Sequence, residues 1–238
     1  MGESESDEGG VFAGYTRREP LPAPLSGLSW LQRALLVGAA IAVAWTVFDT
    51  SGLDERVGKD FLLFVALPAV LAAAHGRSLG WRIDRTVLRN TVLLAVFVTP
   101  FYLVGSTLPT VRAYYPMWGG TLATYPTHVL KQFAVVVAAE TYYRGLLCVS
   151  VRKLGRKAAL ISPVVYAFHH IHKPPIELLL SGPTDVLFGL VDYESDSILP
   201  SVVAHGGGLA LLDWLTLHQP IFPPEQVLDW LSWLPLPV

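Results

Sequence analysis

From about residue 27 onward the chain alternates long apolar runs with short polar stops. Ala34 to Phe48 is bounded by Arg33 and Asp49, and Phe61 to Ala74 by Asp60 and His75. Val92 to Leu108 follows, with Pro100 placed to kink it, and then come His128 to Cys148, Ala158 to Ile171, Ile176 to Val191 and Ile198 to Leu217. A bilayer is crossed by about 20 mostly apolar helical residues, fewer where a helix is buried among others, so these windows read as membrane helices. "SGP" at Ser181 to Pro183 interrupts the sixth window and predicts a broken or re-entrant segment there. Such a break is tolerated in a membrane only where protein or a water-filled cavity satisfies the freed backbone. The final "VLDWLSWLPLPV" is short and rich in Trp and Pro, and is expected to lie in the interface. The pattern predicts an all-α fold, a polytopic membrane bundle of about seven or eight helices, one of them broken or re-entrant.

Composition agrees: 52% of the 238 residues are hydrophobic and only 15% charged. A net charge of -2 and a pI near 6.4 give no basic excess, so nucleic acid is set aside as a partner. Cys148 is alone, which excludes an intramolecular disulfide, and its apolar neighbours make it a packing residue. Residues 1–26 carry Glu3, Glu5, Asp7 and Glu8 and then a proline-rich run from Pro20 to Pro24. They read as a disordered lead-in rather than a signal peptide, and residues 27–238 as a single transmembrane domain without internal repeats. Arginine and lysine gather before the first window, after the second (Arg77, Arg82, Arg85, Arg89) and after the fourth (Arg152, Lys153, Arg156, Lys157). The positive-inside rule then predicts an integral protein of the cell membrane with its N-terminus in the cytoplasm.

Against this apolar background, a few polar residues stand out. Glu140 and Arg144 in "AAETYYRG" are four apart, hence on one helix face, and an intramembrane carboxylate is costly unless paired, protonated or functional. Read alone, the two residues are as well explained by a buried ion pair as by a site. "VVYAFHHIH" adds His169, His170 and His172, and "SVVAHGGGLALL" adds His205. Counting from the presumed cytoplasmic ends at about 1.5 Å per residue, Glu140, His170 and His205 fall toward mid-bilayer, which favours a shared site. His170 is preferred over His169, which is rotated about 100 degrees away, and over His172, which approaches the loop. Tyr143 is a further donor beside this group. Asp185 either caps a helix after Pro183 or faces the cavity, and Asp213 is expected at the interface. The glycines 206–208 read first as small-residue helix packing. Glu140 with two histidines is also a conceivable zinc set, but there is no HExxH and Arg144 would oppose a cation, so no cofactor is expected.

These motifs resemble those of the CaaX-protease and bacteriocin-processing family of glutamic intramembrane endopeptidases: Glu-Glu-x-x-x-Arg, Phe-x-x-x-His and His-x-x-x-Asn on successive helices. "AETYYRG" is similar to the first, with Glu140 at the second Glu, Arg144 at the Arg and Gly145 at the glycine that commonly follows. The second fits either Tyr166 to His170 or Phe168 to His172, and the third begins at His205. The resemblance covers roughly residues 127–217 and rests on the order and spacing of all three motifs. It departs at two positions: Ala139 stands where the family has the Glu that activates water, and Leu209 where it has the Asn that stabilises the oxyanion.

The resemblance implies an intramembrane endopeptidase that hydrolyses a peptide bond in a membrane-embedded or lipid-proximal segment by Glu/His-activated water, with Glu140, His170, His205 and Arg144 at its centre. Ala139 and Leu209 motivate an alternative, an inactive relative that binds transmembrane segments as a scaffold or chaperone. A transporter is a third class, disfavoured because no repeated halves are seen. The expected partners are a membrane protein or peptide and the lipid bilayer.

Overall fold

A computed structural model describes residues 27–234. The expected disordered segment 1–26 lies outside the described residues, as do the last four positions of the Trp- and Pro-rich end. Among the described residues the fold is all-helical, with ten α-helices in chain order. The first, α1 (Trp30–Val47), opens on a capping box in which the Ser29 hydroxyl accepts from the Gln32 amide and the Gln32 side chain accepts from the Ser29 amide. Next, α2 (Leu53–Asp60) and α3 (Leu67–Ala74) are joined without interruption through a π-helical stretch, Phe61–Ala66, into one rod of 22 residues. The rod α4 (Arg85–Gly105) starts on Asp84, whose carboxylate accepts from the Val87 amide at 3.0 Å. It begins earlier than the predicted window and carries Pro100 within it.

Short α5 (Pro109–Tyr114) leads to α6 (Tyr125–Glu140), which passes directly into a second π-helical stretch, Thr141–Leu146. The remaining helices are α7 (Ser162–His169), α8 (Pro175–Ser195), α9 (Leu199–Thr216) and α10 (Pro224–Trp230). Three rods are long and apolar enough to cross a membrane: α1, the α2–α3 rod and α4. A fourth qualifies if α6 with its π stretch and the 3-10 segment Val149–Leu160 count as one span bent by 82°. An all-helical bundle with three or four candidate membrane spans is therefore observed, while the expected count of seven or eight helices is not confirmed.

The predicted break is also elsewhere. Helix α8 runs unbroken through Ser181, Gly182 and Pro183, whereas the sharp bend falls at Leu147 and Cys148, where Cys148 leaves helical geometry (φ -127°, ψ -71°). A proline inside a helix forfeits one hydrogen bond without ending the helix when neighbours hold both halves. Here α7, the 3-10 segment and α9 pack along α8.

Large apolar side chains point outward along the three rods: Val43 (64% exposed), Leu62, Val70, Leu93, Val96 and Phe101 are all more than half exposed. So large an apolar surface suits lipid rather than water. The interior core is built around the two π stretches, where Phe64 stacks on Tyr142 with centroids 4.6 Å apart, and Tyr142 donates to the Gly38 carbonyl at 2.6 Å. Two of the three consecutive glycines in α9 are packing positions. A Cβ on Gly206 would meet the Phe133 ring at 2.4 Å and one on Gly208 the Tyr102 ring at 2.0 Å, while Gly207 faces open space. The close approach of α9 to α4 and α6 depends on them.

Candidate active site

Glu140 is the last residue of α6, and the π stretch that follows widens the next turn by one residue, so Arg144 stands almost over it. The contact is 3.1 Å from Arg144 Nε to Glu140 Oε2. The other carboxylate oxygen, Oε1, lies 2.7 Å from Nδ1 of His205 on α9. From α8, Asp185 brings Oδ1 to 2.7 Å from Arg144 Nη2, and its Oδ2 accepts from the Ser162 hydroxyl at 2.6 Å. Carboxylates from two helices, α6 and α8, thus meet on one guanidinium. Glu140 and Asp185 are 0% exposed and Arg144 1%. Taking each ion out of water costs several kcal/mol, so the arrangement survives only because every charge meets an opposite one or a hydrogen-bond donor. Two carboxylates against one guanidinium leave one formal negative charge, and the His205 ring is placed to answer it.

A cavity of about 620 Å³ opens beside this group. Arg144, Tyr166, His170, Asp185, His205 and Leu209 line its inner part, and Phe97, Phe101, Leu179 and Leu180 its outer part, between α4 and α8. Those outer residues are exposed on the apolar surface, so the cavity faces the lipid sideways. Glu140 does not reach its wall. It stands behind His205, which with its Nδ1 held by the carboxylate turns Nε2 away from Glu140. His170, at the C-terminal end of α7, repeats this: Nδ1 donates to the Tyr166 carbonyl at 2.8 Å, and the ring stacks on Tyr166 with centroids 3.7 Å apart. Each histidine thus leaves Nε2 as its unshared lone pair.

The three neighbouring histidines part company here. His169 is hydrogen-bonded to the Tyr143 hydroxyl and stacks on Trp45 at 4.1 Å, away from Glu140, and His172 is exposed beyond the end of α7. The Tyr143 hydroxyl is therefore paired with His169 rather than with His205. Asp185 is not a helix cap but Arg144's second partner. Asp213 is 0% exposed, and its Oδ2 lies 3.1 Å from His128 Nε2 on α6. Sequence reasoning missed that second pair and also Asp192, which is buried on α8 and accepts from the Ser201 amide and hydroxyl at 3.1 and 2.5 Å. The available signal for Asp192 was its spacing of seven from Asp185, which puts both on one helix face. Among the described residues no group of three metal-ligating side chains is close enough to hold a metal ion.

Residues 121–208 match the model of the family described as type II CAAX prenyl endopeptidase Rce1-like. No curated protein and no solved structure matches the chain. The matched stretch runs from the turn before α6 to the middle of α9 and contains Glu140, Arg144, His170, Asp185 and His205. Through residues 121–208, and with them the whole polar site, the chain is similar to the Rce1-like family of membrane-integral proteases, part of the CaaX-protease and bacteriocin-processing family that its motifs resemble.

Proposed function

We propose that the protein is an intramembrane endopeptidase that hydrolyses a peptide bond in a membrane-embedded or lipid-proximal segment with water activated by the Glu140–His205 pair. The observation that carries this reading is the hydrogen bond from His205, at the wall of a cavity that faces lipid, to the fully buried carboxylate behind it. Glu140 holds the imidazole in one tautomer, and His205 Nε2, with His170 Nε2 beside it, accepts hydrogen bonds from the attacking water. As the water oxygen bonds to the scissile carbonyl carbon, His205 takes its proton. The extra negative charge of the Glu140–Arg144–Asp185 group stabilises the imidazolium that forms. The carbon–nitrogen bond then breaks, and the same proton passes to the leaving amine. Leu209 offers no side-chain amide to the oxyanion; Arg144, which lines the cavity and whose Nη1 has no hydrogen-bond partner among the described residues, serves as the donor in this reading.

Ala139 and Leu209 support a second reading, an inactive relative that holds transmembrane segments as a scaffold. Purified protein incubated in detergent with membrane peptides, beside Glu140→Gln and His205→Ala forms, separates the two. The protease reading expects cleavage by the wild type and its loss in both variants. Equal cleavage in all three removes these residues from the mechanism, and cleavage that Ala139→Glu leaves unchanged deprives the scaffold reading of its basis.

A further inference from the structure

A second cavity, of about 140 Å³, adjoins the first, and both are lined by Tyr166, His170, His205 and Leu209. Those four side chains are the partition between the two spaces. The linings on either side differ in kind. The larger space ends on Phe97, Phe101, Leu179 and Leu180, whereas the smaller one carries Arg56, Gln132, His169, His172 and Lys173. Its rim is charged and aromatic: the Arg56 guanidinium stands 4.4 Å from the Trp45 ring centroid and 5.9 Å from that of Trp118, and His172 is exposed. At roughly 30 Å³ per liquid water, the smaller cavity has room for about four or five.

Ala139 borders this space. The family pattern has a glutamate at that position, and its longer side chain would project into the cavity from the same face of α6. A methyl group leaves it open. Hydrolysis consumes one water per turnover, and a peptide filling an apolar cavity from the lipid side would stop water arriving by the same route. We propose that the smaller cavity is the water supply of the hydrolytic site, bringing water from the charged rim past Ala139 to His170 and His205, while the larger cavity takes the peptide. This rests on the protease reading above and deepens it by giving the two reactants separate routes.

Two measurements test it on the full chain in detergent. In the first, Ala139→Cys and Thr184→Cys forms are labelled with a charged, water-soluble methanethiosulfonate; Cys148 is 0% exposed, so the wild type is the blank. Thiol labelling needs a hydrated thiolate, so the Ala139→Cys form is expected to react at least about tenfold faster than the Thr184→Cys form, which samples the lipid-side cavity. In the second, Ala139→Leu is expected to lower kcat about tenfold with KM held within about twofold, and Gly207→Ala, which faces open space, to change neither. Labelling of the Ala139→Cys form no faster than of the Thr184→Cys form overturns the proposal, as does a rise in KM at unchanged kcat in Ala139→Leu. Labelling requires no cleavage, so it decides the water route even if the protease reading fails.

Discussion

The helices α6 and α9 are joined twice by the same chemistry. Near the start of α6, His128 meets Asp213 of α9; twelve residues later Glu140 meets His205, the carboxylate and the imidazole having exchanged helices. About 18 Å of helix separates the two contacts, and each carboxylate is fully buried. What surrounds them differs. His205 stands between a guanidinium-braced carboxylate and an accessible cavity, whereas neither His128 nor Asp213 lines either cavity. A buried histidine–carboxylate pair in a membrane bundle is therefore a fastener by default. It becomes chemistry where a space for the substrate meets its free nitrogen.

The sharpest break of this comparison is in turnover. His205→Ala is expected to lower kcat by about 10² to 10⁴, the range for loss of a general base, while His128→Gln changes kcat by less than about threefold. Peptide cleavage under single-turnover conditions checks both. Arg144→Met tests the bracing: it leaves the buried Glu140 and Asp185 without their shared guanidinium and is expected to destabilise the protein by about 3 to 5 kcal/mol, read as a fall in unfolding temperature in detergent. Asp213→Asn keeps the size and an acceptor for His128, so it is expected to cost about 1 to 3 kcal/mol of stability with little effect on cleavage. Of similar size is the packing between the two pairs, where Gly208→Ala, forced against the Tyr102 ring, is expected to cost about 1 to 3 kcal/mol, and smallest is Gly207→Ala, expected to be neutral or slightly stabilising. Equal unfolding temperatures for the two alanine variants would mean that α4 and α9 are not held as closely as described.

Much of this was legible in the sequence, and the gaps have physical reasons. Apolar windows gave the helices, and the spacing of four gave the Glu140–Arg144 contact, because both follow from short-range periodicity. Rotation about a helix axis relative to its neighbours is a tertiary property. Sequence spacing therefore could not show that Tyr143 turns to His169, that Asp185 turns to Arg144, or that Asp213 faces inward to His128. The expected break at Pro183 failed because packing on several sides of α8 outweighs the loss of one backbone bond. The real bend at Cys148 had only the β-branched run around Val149 and Val151 to announce it. The count of seven or eight is not confirmed, because α7 is only eight residues long, and α8 and α9, which carry the site, are not among the helices long and apolar enough to cross on length and composition alone.

The central claim is that the Glu140–His205 pair, and not its counterpart, does chemistry. The most direct measurement is the cleavage rate of one membrane peptide by the wild type, His205→Gln and His128→Gln, each verified as folded by its unfolding temperature. The account predicts cleavage by the wild type and His128→Gln and its collapse in His205→Gln alone; equal rates in all three, or no cleavage by any, would contradict it.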